Sequence, residues 1–373
     1  MRFGGKIKYL IIFSSIILFC TIGCKKSVPV EGNGNPCNDI LPPIGVWQPL
    51  GLEGKLVPHL VLVNEYLYAC AGRDGLYRRN LCRDAKWEYL GFADSTLFRQ
   101  LDYGVTSLFY NNLNSEMVLG ICTHRWEPEI GIFLSTNFGL TWIPSDSGIR
   151  TPRFIKSTEV SSLNGYPNAN IIFSGMSATL YKSGNNGRTW KLVWGNPDAG
   201  GVGINSVKFD ENDHRNIWAG GETGRFAPFA LNSKDMGESW ELIYPLPWLG
   251  PYGGDNAIYD IAVDPVNKGT VYLGMLGLIM KTTDDGKNWQ KVLGWEDGIY
   301  RNWRIAMNPN NHNELLSTGA VLYRTTDAGQ TWLKIIPPEG HWELYAMAVD
   351  WSNRVVYVST SSYGGNGMFR SKF

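Results

Sequence analysis

The sequence predicts an all-β protein, a single β-propeller of seven four-stranded blades, and three observations support this fold class. A short turn phrase recurs along the chain at intervals of 40 to 55 residues. Short runs of alternating apolar and polar residues surround each copy, and the last repeat lacks its own outer strand. A period of this length is typical of stacked supersecondary units that bury their apolar faces against one another.

The repeated phrase reads Ser or Thr, a spacer, Asp or Asn, another residue, Gly, two more residues, and Trp. Its five full copies span 135–142, 183–190, 233–240, 282–289 and 325–332, and a degenerate copy spans 82–87. Asp and Asn side chains bond to nearby backbone and favour turns, and Gly supplies a positive φ angle. Each phrase therefore predicts a hairpin turn whose Trp begins the next strand.

The segments around each phrase predict four short strands per repeat. Residues 258–263 and 270–274 precede one phrase, and residues 289–293 follow it, each as a short strand-forming run. Four short strands separated by turn residues are typical of a propeller blade.

The phrase tryptophans set the number of blades. Their positions, with Trp47 in a related outer-strand segment, are spaced 40 to 55 residues apart. We expect all of them to pack between blades in a structural role, since recurring apolar positions usually form the core. They are Trp47, Trp87, Trp142, Trp190, Trp240, Trp289 and Trp332.

The last repeat runs from near Trp342 to Phe373 and has no turn phrase of its own. The segment 45–51 is predicted to provide its missing outer strand, which closes the ring and removes two exposed sheet edges. Six blades with an unpaired N-terminal strand are the alternative. The propeller domain spans 44–373, and a core distributed between blades allows a domain of this size.

The repeated phrase resembles the Asp-box (BNR-like) repeat of bacterial sialidases, sortilin-type receptors, xyloglucanases and the photosystem II assembly-factor family. All of these are β-propellers, so the resemblance implies the same fold. The resemblance to the assembly-factor family extends over most of the chain and implies an exported, lipidated scaffold. No basic patch of the kind with which that family grips its partner is evident in the sequence.

The N-terminus predicts export and lipid attachment. Residues 1–23 combine three basic residues with an apolar run too short for a membrane-spanning helix, as in a secretory signal. Residues 21–24 resemble a bacterial lipobox, which implies cleavage before Cys24 and acylation of its sulfur. Residues 24–43 predict a flexible tether. We therefore expect a lipid anchor in the bacterial cell envelope, in the outer membrane. The sequence does not decide between its periplasmic and its surface face.

Charge and cysteine content restrict the classes of partner and metal site that the sequence predicts. The chain has 34 basic and 34 acidic residues without like-charge runs, so nucleic acid is not an expected partner. Four cysteines remain beyond Cys24; Cys37–Cys82 is one predicted disulfide, and Cys70 and Cys122 could pair or stay thiols. The cysteine and histidine spacing predicts no zinc site and no cofactor.

Ligand binding is expected at one mouth of the channel, where the loops that enter the innermost strands converge. Four of these loops combine Trp with a carboxylate, which suits sugar rings that stack on aromatic faces while their hydroxyls bond outward. The alternative is that these tryptophans cap the apolar ends of the blades. The candidate binding residues are Trp126, Trp194, Trp248, Tyr252, Asp255, Trp295, Asp297, Tyr300, Trp303, His341, Trp342 and Glu343.

Alignment of two inner strands predicts one charged pair. It places Asp260 and Arg304 at equivalent positions of adjacent blades, so we expect an ion pair near the channel. A structural role is favoured because buried charges are normally paired.

Whether the protein is an enzyme stays open in the sequence. A glycosidase needs two carboxylates roughly 5 to 9.5 Å apart. The sequence offers Asp74, Asp198, Asp255, Glu296, Asp297 and Glu343. Asp74 lies in a segment that resembles a catalytic segment of xyloglucanases, and we pair it with Glu296 as the catalytic hypothesis. Xyloglucanases, however, use two tandem propellers.

Other chemistries are less well supported. The chain has no Arg-Ile-Pro segment of the sialidase type, so sialidase activity is not expected. A polysaccharide lyase would use His59 or His341, although a satisfied loop-end histidine is the favoured interpretation of both. The sequence thus predicts a monomeric envelope protein that binds a glycan, with an envelope-protein scaffold as the alternative.

Overall fold

A computed structural model describes residues 41–83, 86–96, 104–122, 131–149, 162–165, 170–176, 179–198, 202–223, 227–243, 257–275, 277–294, 302–338, 340–341, 343–360 and 367–373. The chain divides into two units, Met1–Pro36 and Cys37–Phe373, and every described residue belongs to the second. Within these ranges no helix has the length and apolar character needed to cross a membrane.

The structure is an all-β propeller of seven four-stranded antiparallel sheets, as the sequence predicts. Blades 1 and 2 comprise β2 (His59–Val63), β3 (Tyr66–Cys70), β4 (Leu76–Asn80), β5 (Glu88–Gly91), β6 (Gly104–Asn111), β7 (Glu116–Cys122), β8 (Ile132–Ser135) and β9 (Ile143–Pro144). Blades 3 and 4 comprise β10 (Ser162–Gly165), β11 (Ile172–Met176), β12 (Thr179–Ser183), β13 (Lys191–Gly195), β14 (Val202–Phe209), β15 (Ile217–Thr223), β16 (Pro228–Ser233) and β17 (Glu241–Ile243).

Blades 5 and 6 comprise β18 (Ile258–Val263), β19 (Val271–Met275), β20 (Leu278–Thr282), β21 (Gln290–Gly294), β22 (Asn302–Asn308), β23 (Asn311–Gly319), β24 (Leu322–Thr325) and β25 (Leu333–Ile335). Blade 7 comprises β26 (Leu344–Asp350), β27 (Val355–Thr360), β28 (Met368–Lys372) and β1 (Gln48–Gly51). The first strands of successive blades contact one another in a closed ring, from β2 through β6, β10, β14, β18, β22 and β26 back to β2.

The N-terminal strand is part of the last blade. β1 pairs antiparallel with β28, with Gln48 opposite Arg370 and Pro49 opposite Phe369. The Arg370 Nε also donates to the Gln48 Oε1 at 2.8 Å. The blade count of seven and this pairing follow the sequence prediction, and the six-bladed alternative is wrong.

In the part of the chain that the structure describes, the core consists of seven apolar clusters, one at each interface between neighbouring blades. Trp218 of blade 4, for example, packs with Ile258 and Met280 of blade 5. At the ring closure, Leu50 of β1 packs with Leu67 of blade 1. Because both faces of every sheet are covered by a neighbour, many strands are buried along their length, as β11 and β19 are.

Each repeated phrase forms the turn between the third and fourth strands of its blade. In the phrase 183–190, the Ser183 hydroxyl accepts from the Gly187 amide at 2.8 Å and donates to the Asn185 side chain at 3.0 Å. The Asn185 Oδ1 in turn accepts from the Thr189 amide at 2.9 Å. The other four full phrases make the same bonds, so five turns share one hydrogen-bond network.

Two consecutive residues in each turn have positive φ, although the sequence predicts this only for Gly. The residue before the Gly lies at φ 57° to 62° in all five phrases and is not a glycine in any of them. These residues are Phe138, Asn186, Met236, Asp285 and Ala328. A left-handed conformation costs a non-Gly residue about 1 to 2 kcal/mol, so the side-chain bonds of the turn hold it in place.

The phrase tryptophans link blades, and four of them donate an indole N–H to a carbonyl in or just after the outer strand of the preceding blade. These four bonds are Trp47 to Ile336, Trp87 to Leu50, Trp190 to Ser145 and Trp332 to Val292, at 2.6 to 3.0 Å. Trp142 and Trp289 donate to the Gly of their own turn, and Trp240 packs edge-on against Phe173.

Candidate ligand-binding site at the channel mouth

The antiparallel strands place two kinds of loop at opposite ends of every blade. The repeated turns, together with the connections from the first to the second strand, lie at one end, here named the turn face. The starts of the first strands and the connections from the second to the third strand lie at the other end, here named the mouth face. The candidate site is therefore built from residues near the starts of the innermost strands.

A β-bulge interrupts several first strands near their starts. The register shifts between Val105 and Ser107 in β6, between Ile204 and Ser206 in β14, and between Ile258 and Asp260 in β18. Bulges redirect side chains and are frequent beside functional sites. After the bulge, β6 and β14 have Ser107 and Ser206, whereas β18 has Asp260, the one charged residue among the three.

Asp260 connects three blades near the channel. Its Oδ1 accepts from the Ser206 hydroxyl at 3.1 Å, and Lys208 approaches it at 3.3 Å. Its Oδ2 accepts from the Ile305 amide at 3.1 Å. Although burial opposes it, the charge of Lys208, then that of Arg304 and the backbone donors, lowers the pKa of Asp260. This carboxylate is therefore ionised and already fully engaged.

The expected ion pair between Asp260 and Arg304 is wrong, because the cation beside Asp260 is Lys208. The Arg304 guanidinium donates instead to the carbonyls of Pro58 at 3.0 Å and Tyr259 at 3.4 Å. The ladders of β18 and β22 keep the predicted alignment, with Ile258 opposite Met275 and Asn302 opposite Gly319, so the two positions are equivalent but their side chains take different partners. Arg304 thus connects blades 5, 6 and 1, and its guanidinium lies 5.7 Å from the centre of the Tyr345 ring of blade 7.

His59 begins β2 and faces the same charges. Its Nε2 lies 3.3 Å from the Leu108 carbonyl, so this nitrogen donates and Nδ1 is left as an acceptor. Burial, followed by the charges of Arg304 and Lys208, lowers its pKa to about 3, against the weaker opposing effects of the Leu108 bond and of Asp260. The imidazole is therefore neutral at neutral pH.

We name His59, Lys208, Asp260 and Arg304 the axial cluster. Lys208 is 36% exposed and Asp260 7% exposed. Among the described residues, no carboxylate lies within ion-pair distance of Arg304. With His59 neutral, the cluster carries a net positive charge. Its single carboxylate is a structural group rather than a proton donor, so the cluster is suited to holding an acceptor or an anion.

The structure describes six further predicted residues. Asp74 lies in the mouth-face turn after β3, with its carboxylate 3.7 Å from Lys55. Trp194, in β13, stacks on Phe229 with ring centres 5.8 Å apart, so one indole face is covered. Asp198 is exposed three residues after β13, and Glu343 is half-buried directly before β26. Trp303 lies in β22.

His341 has a packing role. Its ring meets that of Phe369 edge-on at 4.5 Å, and its Nδ1 is buried without a hydrogen-bond partner. Burial lowers the pKa of this imidazole. The ring is therefore packed, as the favoured interpretation of a satisfied loop-end histidine expects, but the hydrogen-bonding capacity of its Nδ1 is not satisfied.

The remaining predicted site residues lie outside the described residues. They are Trp126, Trp248, Tyr252, Asp255, Trp295, Glu296, Asp297, Tyr300 and Trp342, together with Cys24. Sequence reasoning missed Lys208 as a channel residue and His59 as a member of a charge cluster. His59 is the first residue of β2, a position where a site residue could be expected, whereas Lys208 is the seventh of the eight residues of β14 and no positional signal marked it.

The cysteines divide into two groups. Cys82 is disulfide-bonded, whereas Cys70 and Cys122 are buried thiols outside any disulfide. Burial raises the pKa of the Cys70 thiol, which keeps it protonated and unreactive. Of the two alternatives for Cys70 and Cys122, buried thiols are correct. The predicted partner of Cys82, Cys37, lies outside the described residues.

Comparison with known proteins gives a partial sequence match. No family model matches the chain. A xyloglucanase of Acetivibrio thermocellus is 30% identical over 167 residues, a match that covers 38% of this chain and 19% of the enzyme. A xyloglucanase of a Paenibacillus species is 30% identical over 171 residues, covering 39% of this chain and 16% of that enzyme. The match thus spans less than a fifth of either enzyme.

Solved structures share the fold over most of the chain. The GH74 enzyme of Niastella koreensis has a TM-score of 0.61 at 20% identity and the GH74 xyloglucanase of Xanthomonas campestris 0.63 at 19%; each match covers 87% of this chain and 53% of the enzyme. YCF48 of Cyanidioschyzon merolae has a TM-score of 0.56 at 14% identity, and the match covers 97% of it. The chain therefore spans about half the length of the GH74 structures and nearly all of YCF48. At these identities the likeness shows the β-propeller fold.

Proposed function

We propose that the propeller binds an extended glycan across its mouth face. The observation that carries this proposal is the 30% identity to two xyloglucanases, since it is a likeness of sequence and not of fold alone. The axial cluster supports it, because a guanidinium beside an aromatic ring and a neutral imidazole can bond sugar hydroxyls. The predicted tryptophans of the mouth-face loops would supply the stacking surfaces.

The proposal covers glycan binding alone and does not require that the protein hydrolyses the bound glycan. The chain spans about half the length of the GH74 enzymes, and Asp260 is engaged by donors and Lys208. A hydrolytic site would have to pair Asp74, which lies beside Lys55, with a second carboxylate such as Glu296. Catalysis is therefore a separate hypothesis with its own test.

The binding proposal is tested on a glycan array that includes xyloglucan fragments, followed by calorimetry with the best glycan. We expect Trp248→Ala and Trp295→Ala to weaken binding by about tenfold each, the effect of losing one stacking surface. Trp289→Phe, on the turn face, is the matched control and should bind normally. Absence of binding to every glycan on the array would overturn the proposal.

The hydrolysis hypothesis is tested by release of reducing ends from the bound glycan. Release that disappears in Asp74→Asn or Glu296→Gln, with binding intact, would establish a glycosidase. Binding without any release would assign the protein to glycan recognition alone.

A protein-binding scaffold is the second candidate. The match that covers 97% of YCF48 supports it, as does a structure of YCF48 bound to D1 peptide, which has a TM-score of 0.59 and 14% identity. Cross-linking in intact cells, followed by identification of the cross-linked protein, is the test. One stoichiometric protein partner combined with an empty glycan array would favour the scaffold over the glycan binder.

We also propose that the protein is exported and anchored in the cell envelope through Cys24. The proposal rests on the signal-like segment 1–23 and the lipobox-like residues 21–24. Metabolic labelling with a palmitate analogue should modify the wild type but not Cys24→Ala, and the variant should leave the membrane fraction. Labelling that persists in Cys24→Ala would contradict it.

A further inference from the structure

The Arg304 side chain is placed with unused binding capacity. Among the described residues, only its two terminal nitrogens have partners, and both partners are neutral backbone carbonyls. Its Nε is buried and makes no hydrogen bond. A guanidinium has five N–H donors and is always charged, so a half-buried one normally meets an anion.

Lys208 adds a second cation from the other side of the cluster. It belongs to blade 4, whereas Arg304 belongs to blade 6, and the charges of both act on His59 of blade 1. Asp260 offsets one of the two cations by direct contact with Lys208. The surplus positive charge therefore lies inside the ring, where the first strands of several blades converge.

We propose that the axial cluster binds the carboxylate of a uronic acid residue, so that the glycan recognised at the mouth is acidic. This inference rests on the proposed function and adds the class of sugar. Arg304 would pair with the carboxylate, Lys208 would add a longer-range attraction, and the Nδ1 of His59 would accept from a ring hydroxyl. Charge-assisted bonds of this kind are about twice as strong as neutral ones.

A uronate is favoured over an acidic peptide by two observations. The sequence match is to enzymes whose names denote glycan substrates. In addition, the Nδ1 of the neutral His59 is left as a hydrogen-bond acceptor, so a cation and a neutral acceptor belong to the same cluster. This combination suits a sugar ring that carries hydroxyls next to its carboxylate.

The test uses two small probes that differ only in the group of interest, methyl glucuronide and methyl glucoside. The full chain has five histidines, and His59→Gln assigns the His59 signal in an NMR spectrum. At pH 6 we expect the glucuronide to shift the His59 ring signals, because its carboxylate changes the field of Arg304, Lys208 and Asp260. The glucoside should leave them unchanged.

Affinity measurements then test whether Arg304 is the residue that pairs with the carboxylate. Arg304→Gln should weaken binding of a uronate-containing oligosaccharide by about tenfold, the effect of losing one charge-assisted bond. Arg304→Lys should retain part of the affinity. Arg215→Gln is the matched control: this arginine is exposed, is bonded to Asp213, and lies on the turn face. It should bind like the wild type.

The outcomes separate this inference from the proposed function. Neutral glycans that bind without a His59 response to glucuronide would overturn the acidic-sugar assignment and leave glycan binding standing. No binding to any glycan would overturn both. A His59 response to an acidic peptide and none to glucuronide would assign the cluster to a protein partner instead. The wild-type NMR result decides the question even where Arg304→Gln fails to fold.

Discussion

The turn face and the mouth face of this propeller follow opposite rules. On the turn face, five phrases repeat the same hydrogen bonds within eight residues of chain. In the axial cluster, His59, Lys208, Asp260 and Arg304 come from four blades, and no two make the same contacts. The comparison indicates that the repeat specifies the scaffold and that departures from the repeat specify the site.

The two faces also differ in how far their bonds reach. The Ser or Thr of each turn bonds to a Gly amide four residues away. Arg304 of blade 6, by contrast, donates to the carbonyl of Pro58, which is far away in the sequence and lies directly before the first strand of blade 1. Substitutions at the turns should therefore change stability without changing binding, and those in the axial cluster should change binding more than stability.

The largest effect on the scaffold side is expected for Trp218→Ala. Trp218 is fully buried between blades 4 and 5, edge-on to Trp289. Removing a buried Trp side chain leaves a cavity, and the free energy of unfolding should fall by about 3 to 5 kcal/mol. Urea unfolding followed by circular dichroism measures it, with Trp218→Phe as the milder control. A fall below about 1 kcal/mol would mean that this interface is not a core.

Thr325→Ala should have the next largest effect. The Thr325 hydroxyl accepts from the buried Gly329 amide at 2.9 Å and donates to Asp327. Its loss leaves a buried donor unsatisfied, which costs about 1 to 3 kcal/mol of unfolding free energy. Thr325→Ser keeps the hydroxyl and should be nearly neutral, since three of the five phrases have Ser at this position. Equal losses in both variants would exclude the hydrogen bond as the cause.

Lys208→Met tests the mouth side. It removes the direct partner of the buried Asp260 carboxylate but leaves its Ser206 and Ile305 donors. We expect unfolding free energy to fall by about 1 to 2 kcal/mol, less than for a fully buried pair because Lys208 is partly exposed. The pKa of Asp260 should rise, which NMR of the carboxyl carbon can follow. An unchanged pKa would contradict the assigned pairing.

The acidic turns predict a pH dependence. Hydrogen bonds from Ser239, Asn288 and Thr331 hold the pKa values of Asp235, Asp284 and Asp327 at about 2. Since the unfolded value is about 3.9, this stabilisation is complete above about pH 4 and is lost as the pH falls towards 2.

The natural control for that pH dependence is present in the chain. Asn137 and Asn185 occupy the same turn position, and their Oδ1 atoms accept from the amides of Thr141 and Thr189 in the same way. Replacing the three aspartates with Asn should therefore keep the turns and flatten the acid limb of stability between pH 4 and 2. An unchanged acid limb in thermal melts would show that other carboxylates govern it.

Ala328→Asn should have the smallest effect, and it should be stabilising. Ala328 has a φ of 57°, and the equivalent residue of the phrase 183–190 is Asn186, also at 57°. Asn tolerates this conformation better than Ala, so unfolding free energy should rise by less than about 1 kcal/mol. Ala328→Val is the opposite control, since a β-branched residue is poorly tolerated there. Destabilisation by Asn equal to that by Val would contradict the backbone explanation.

The sequence predicted the scaffold well because each feature occurs several times. Five copies of one phrase fixed the turns, and the unpaired outer strand near Trp47 indicated how β1 completes blade 7. It failed for the axial cluster because such contacts occur once and depend on side-chain direction. Arg304 bonds to the carbonyls of Pro58 and Tyr259, and Lys208 lies beside Asp260; no repeated pattern in the chain encodes these contacts.

Hydrogen–deuterium exchange with and without the best-binding glycan tests most directly whether the ligand binds on the mouth face and not on the turn face. We expect added protection at the starts of the innermost strands, around residues 58–60, 257–261 and 302–306, and none in the repeated turns at 183–190 or 325–332. Protection confined to the turns, or spread evenly over both faces, would contradict the assignment of binding to the mouth face.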